Sequence, residues 1–155
     1  MDQVREIGRS HTVELPILSN TISKFTFGDN ETALDNVLVH AISMPTSLLV
    51  KAPSGRTLLA FAEAAKGYIT LADADKKEYN RQLPLDIFLR TDNPIIHIKP
   101  KLISIRNCYV DLPLIGGVAI AAGPPAGNAI VFVFYYEPYD PEVHKLNGVG
   151  ELIEN

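Results

Sequence analysis

The chain has 155 residues, 14 Lys and Arg against 18 Asp and Glu for a formal charge of −4, 46% hydrophobic residues, one cysteine and no tryptophan. A chain of this length buries about two thirds of its unfolded surface, so its core needs no metal, disulfide or repeat array. With no basic run longer than Lys76-Lys77, the acidic balance lacks the electrostatic footprint of a nucleic-acid binder.

Period-two alternation broken by Pro and Gly runs through the chain, as expected of half-buried strands joined by short loops. Val13, Leu15 and Ile17 alternate with Thr12, Glu14 and Pro16. Because Pro16 has no amide hydrogen to donate, this first strand belongs at a sheet edge. Phe25 and Phe27 continue the pattern, and Gly28-Asp29-Asn30 reads as a turn leading to a long strand centred on 37–42, ended by Met44-Pro45. Residues 47–52 and 56–61 flank Pro53-Ser54-Gly55, where proline presets one torsion and glycine accepts the strained one, so a tight hairpin is expected. Over 57–66 the composition favours a short helix capped by Gly67 and a strand equally. Residues 68–71 return to strand character, 73–82 form a polar connection, and 85–90, 95–99 and 102–110 read as three further strands. The last two strands are 118–122 and 129–136, around a Gly-Pro-Pro-Ala-Gly loop. Nine or ten short strands with at most one short helix predict a mainly β fold, an antiparallel β-sandwich of jelly-roll-like type. The sandwich domain spans 1–136. The remainder, 137–155, is a polar C-terminal arm or tail anchored only by Leu146, Val149, Leu152 and Ile153, either frayed or docked on a neighbouring surface.

No reaction is written in the motifs. His11, His40, His97 and His144 lack the spacing that aims two imidazoles at one metal from a single element, and His97 reads as an exposed strand residue. Cys108 has only Arg106 nearby on its face and reads as buried and inert. Asp73-Ala74-Asp75-Lys76-Lys77-Glu78 fails as a calcium loop, because Glu78 stands where glycine is required. The phosphate-loop and dinucleotide-fold patterns lack their strand-glycine-helix context. The expectation is therefore a non-enzyme with no cofactor and no metal.

The uncharged stretch between Asp111 and Glu137 is long enough to raise the question of a membrane span, but its central Gly-Pro-Pro-Ala-Gly favours two buried strands. In 129–136 one face carries Ile130, Phe132, Phe134 and Tyr136, and the other carries Val131, Val133 and Tyr135. A sandwich strand apolar on both faces needs a second cover. Another subunit supplies it in one reading, with Val131, Val133, Tyr135, Leu146, Val149, Leu152 and Ile153 as the candidate interface. A loop or the 57–66 segment of the same chain supplies it in the other. The small-residue stretch 116–123 admits the same two covers.

From Val13 to Tyr136 the chain resembles single-domain jelly-roll-like structural proteins of virions, bacteriophage capsid, cement or decoration proteins. The resemblance is carried by the Pro/Gly-bounded strands, the run Asn107-Cys108-Tyr109-Val110-Asp111-Leu112-Pro113, the final aromatic strand and the polar arms. It implies a structural subunit assembling with itself as trimers or larger rings, tiling a shell with other virion proteins and exchanging arms between neighbours. The expected location is then the virion. Otherwise it is the cytoplasm, since there is no secretory h-region and no cysteine pair. The alternative is a carbohydrate- or ligand-binding β-sandwich that stacks sugars on Tyr68, Tyr79, Tyr109, Tyr135, Tyr136 or Tyr139, although the absence of Trp removes the best platform. A cupin-type metalloenzyme is disfavoured by the histidine spacing.

Overall fold

The computed structural model describes residues 9–17, 24–27, 35–45, 51–58, 65–78, 82–89, 95–112, 114–115, 118–119, 128–148 and 150–153. Among them are β1 (Arg9–Ile17), β2 (Lys24–Thr26), β3 (Val37–Ser43), β4 (Thr57–Leu58), β5 (Tyr68–Thr70), β6 (Leu83–Pro84), β7 (Ile95–Ile103), β8 (Tyr109–Asp111), β9 (Leu114–Ile115), β10 (Val118–Ala119) and β11 (Asn128–Pro138). One sheet has the order β1-β11-β3-β7, with β4 parallel to the start of β11, and the other has the order β2-β8-β5-β6. Setting aside the short β4, β9 and β10, the first strand pairs with the last, β1 with β11. The second pairs with the next to last, β2 with β8. The two innermost pairs are β3 with β7 and β5 with β6. This is a long antiparallel hairpin wrapped into two sheets, the jelly-roll order.

The alternation explains why the sheets face each other. Val13, Leu15 and Ile17 of β1 and Ile130, Phe132 and Phe134 of β11 point inward and meet Phe25, Ile69 and Val110 of the second sheet in one buried cluster. Phe27 sits between Phe132 and Phe134, at centroid distances of 5.7 and 6.1 Å and in edge-on geometry. Such edge-to-face pairs add about 0.5–1.5 kcal/mol to the burial itself.

Three strand expectations are corrected. Leu85–Leu89 is a 3-10 helix, not a strand. Leu85 and Phe88, three residues apart and both buried, fall on the same side of a three-residue turn. Pro100 does not divide two strands, because β7 runs through it. Its carbonyl accepts from the Leu152 amide on the outer edge, so the missing N–H faces outward and no β3 hydrogen bond is lost. The 102–110 strand is broken at Ser104 by the 3-10 turn Ile105–Asn107.

The first strand is an edge strand, as Pro16 requires. The Pro53-Ser54-Gly55 turn closes with the Gly55 amide donating to the Ala52 carbonyl at 2.8 Å, and Gly55 takes φ 91°. The Gly28-Asp29-Asn30 turn, most of 57–66, most of 116–123 and Val149 lie outside the described residues.

Along its described length the tail is docked, on β7 of its own chain. Lys101 bridges Glu151, and Leu146 bridges Leu152. The Leu102 amide donates to Gly150 and the Ile153 amide to Lys145, so 145–153 folds as a small hairpin on the outer edge of β7. The sandwich therefore does not end at residue 136. No helix among the described residues is long and apolar enough to cross a membrane.

Candidate functional site

The outer face of the β1-β11-β3-β7 sheet carries the candidate interface. Register places Glu14 beside Val131, Thr12 beside Val133, and Ser10 beside Tyr135. Val131 is 0% exposed, packed with Ala129, Ala52 and Leu58 of the same chain. Its cover is thus internal, which corrects its placement at a subunit interface. The 52–58 hairpin is fastened there by Glu14, which accepts from the Ser54 amide at 2.9 Å, from the Ser54 hydroxyl and from Arg56 Nη1 at 2.8 Å. Burial pushes the Glu14 carboxyl up, but the Ser54 and Arg56 hydrogen bonds outweigh it and hold the group below its usual value.

At the other end of this face the tail supplies the cover. The register shift opposite Tyr135 and Tyr136 leaves His40 as the extra residue of a β-bulge, a device that re-aims side chains. His40 Nε2 lies 2.9 Å from Glu137 Oε1, and His144 Nε2 of the tail lies 3.6 Å from the same oxygen. The Asp140 amide donates to His144 Nδ1 at 2.9 Å, so in the neutral ring the hydrogen sits on Nε2 and points at the carboxylate. A nitrogen carrying that hydrogen is no metal ligand, and no group of His, Cys, Asp and Glu among the described residues is arranged to hold a metal. The cluster is a clasp that ties the tail to β3 and β11. Sequence reading missed it because His40, Glu137 and His144 are brought together only by the bulge and the tail's return.

Of the other interface candidates, Leu152 is 2% exposed, hence covered by its own chain, and Leu146 is half-buried opposite it. Val133 and Tyr135 are half-buried between the two covers, and Ile153 is 45% exposed.

The second sheet turns a polar face outward. Its inward row is Phe25-Val110-Ile69, and its outward rows are Thr26-Tyr109-Thr70 and Lys24-Asp111-Tyr68. At one end of these rows a cleft of about 330 Å³ opens, lined by Lys24, Thr26, Tyr109, Arg106 and Asn107 together with Lys76 and Glu78 of the loop after β5. Lys24 Nζ stands 4.1 Å from the Tyr109 ring centroid. Arg106 Nε is 3.2 Å from Asp35 Oδ1. Asn107 Nδ2 donates to the Asp73 carbonyl at 2.8 Å, and Asp73 Oδ1 accepts the Asp75 and Lys77 amides, which fixes the loop bearing Lys76. Burial raises the Asp111 carboxyl, an effect Lys24 opposes and Glu78 reinforces.

Among the tyrosines named for stacking, Tyr68 is 45% exposed and Tyr109 lines the cleft. Tyr136 packs on the core, and Tyr139 stacks on His144 at 6.0 Å. Tyr79 lies outside the described residues. His97 is exposed on its strand, and Cys108 is buried with its thiol pushed up by burial to about 12, despite a hydrogen bond with Ala72. A thiol held protonated in this way is no nucleophile. No family model, no curated protein and no solved structure matches the chain.

Proposed function

We propose that the protein is a non-enzymatic structural subunit of a symmetric assembly, of the kind that forms or decorates a viral shell, with further copies of itself and other virion proteins as partners. The jelly-roll strand order carries this reading, since that architecture recurs in capsid proteins. The outer face of the β1-β11-β3-β7 sheet supports the same reading. Between the hairpin and the tail it keeps Val133 and Tyr135 of β11, both half-buried, beside the edge strand β1, with half-buried Ile95 of β7 across Ser43 in the same row. With Val131 and Leu152 covered internally and Val149 outside the described residues, the interface in this proposal contracts to Val133, Tyr135, Leu146 and Ile153.

Light scattering after size exclusion tests it. A trimer or larger ring that persists on dilution, converted to folded monomer by Tyr135→Lys or Val133→Lys, is the expected result. A wild-type chain that stays at about 17 kDa at every concentration and adds no mass to a shell overturns it.

A second reading, a ligand-binding sandwich, is favoured by one observation. The cleft on the opposite sheet has the volume at which small-molecule sites begin and mixes an aromatic ring with polar groups.

A further inference from the structure

The molecule is acidic overall, at −4, yet its cleft gathers Lys24, Lys76 and Arg106 around a single lining carboxylate, Glu78. Asp111 beside Lys24 and Asp35 on Arg106 offset two of these cations and leave Lys76 as the least compensated. Burial raises the Tyr109 hydroxyl, Thr70 opposes this, and the Glu78 carboxylate raises it further. Arg106 meets Asp35 through Nε and lines the cleft with a planar fork that carries further N–H donors. Lys76 holds φ 62°, a left-handed conformation that costs a residue bearing a Cβ about 1–2 kcal/mol. Its amide is spent on the Asp73 carbonyl, and among the described residues its ammonium has no carboxylate within ion-pair distance. The strained turn and the Asn107 and Asp73 hydrogen bonds together fix the backbone that presents this side chain at the cleft wall.

Lysines and an arginine fork converging on one cavity match a tetrahedral oxyanion, which takes bidentate bonds from guanidinium and point-charge contacts from ammonium. Beside them Thr26 supplies a hydroxyl, and Tyr109, with Lys24 at its face, supplies a ring edge. The cavity, at about 330 Å³, has room for about one sugar ring.

We infer that this cleft is a binding site for an oxyanion ester on a hydroxylated ring, a phosphorylated or sulfated saccharide unit, gripped by Lys76, Arg106 and Lys24. The inference rests on the ligand-binding reading and stands apart from assembly. The ester has two sources, a free sugar phosphate or a sulfated polysaccharide.

The test titrates the full chain, followed by amide chemical shifts and calorimetry at low salt, with glucose 6-phosphate, glucose, inorganic phosphate and a sulfated heparin tetrasaccharide. The expected result is saturable binding of at least one ester, with shifts at Thr26, Lys76 and Tyr109 and little response to glucose. Lys76→Ala should weaken binding about tenfold, the loss of one charge-assisted contact, while Lys145→Ala on the tail leaves it unchanged. Both side chains are exposed, so neither change threatens folding. Stronger binding of glucose 6-phosphate assigns the free phosphate as the source, and stronger binding of the tetrasaccharide assigns the sulfated polysaccharide. Binding of a neutral glycan that Lys76→Ala does not alter overturns the oxyanion site while the ligand-binding reading survives. No response to any of the four probes, or equal losses in Lys76→Ala and Lys145→Ala, overturns the site, and silence in a wider glycan screen overturns the reading as well.

Discussion

Two side chains show how burial alone leaves a charge decision open. Cys108 is enclosed at 0% exposure, so its thiol stays protonated and unreactive. In the native protein it should resist a thiol reagent at about pH 8 and react at once in denaturant. Because the folded value lies above the ordinary one, its stabilising contribution is complete below 9.0 and is lost between there and about 12. Glu14 is also largely covered, but the Ser54 and Arg56 donors reverse the effect of burial. Its folded value is depressed, so its contribution is present above the ordinary 4.5 and is lost as the pH falls through the lowered value. Glu14→Gln should cost about 1 kcal/mol at neutral pH by urea unfolding, with the difference from wild type shrinking below pH 4.5.

At the scale of elements, β11 is the organising strand, paired on both sides, buried along its inner face and covered on its outer face at Ala129 and Val131. Phe132 fills the inter-sheet core, and its replacement by Ala should cost about 3–5 kcal/mol. Val131 lies on the opposite face but is equally buried, so Val131→Lys places an unpaired charge under the hairpin and should unfold the chain. Its neighbour in the same row, Val133, is half-buried and should accept the same change with the fold intact. Circular dichroism of the two variants separates these outcomes. The tail depends on its clasp. Glu137→Ala removes the acceptor shared by His40 and His144, and amide exchange should accelerate at Leu102 and Leu152 well before the core strands respond.

For the whole molecule, the mass measurement on wild type and Tyr135→Lys decides between an assembling subunit and a monomer. Much of the architecture was legible in the chain. The alternation in β1 and β11, the proline at an edge and the Pro-Ser-Gly turn each act over a few residues, and pattern alone specifies them. The 3-10 helix at Leu85–Leu89 was not, because a short apolar run fits several periods until its neighbours choose one. The cleft was not either, since Lys24, Lys76 and Arg106 come from three separate segments.

Period-two burial and turn chemistry are local properties of the chain, so its residue order alone specifies a mainly β sandwich with an inert thiol and a last strand apolar on both faces. What lies over Ala129 and Val131 is settled by the folded chain, which lays its 52–58 hairpin on them. The same apolar face accepts a neighbour or the chain's own hairpin with similar gain, since the hydrophobic effect is non-directional. The choice fell to directional contacts, the Glu14 hydrogen bonds and the His40-Glu137-His144 clasp, whose members are distant in sequence and meet only when the sheets close.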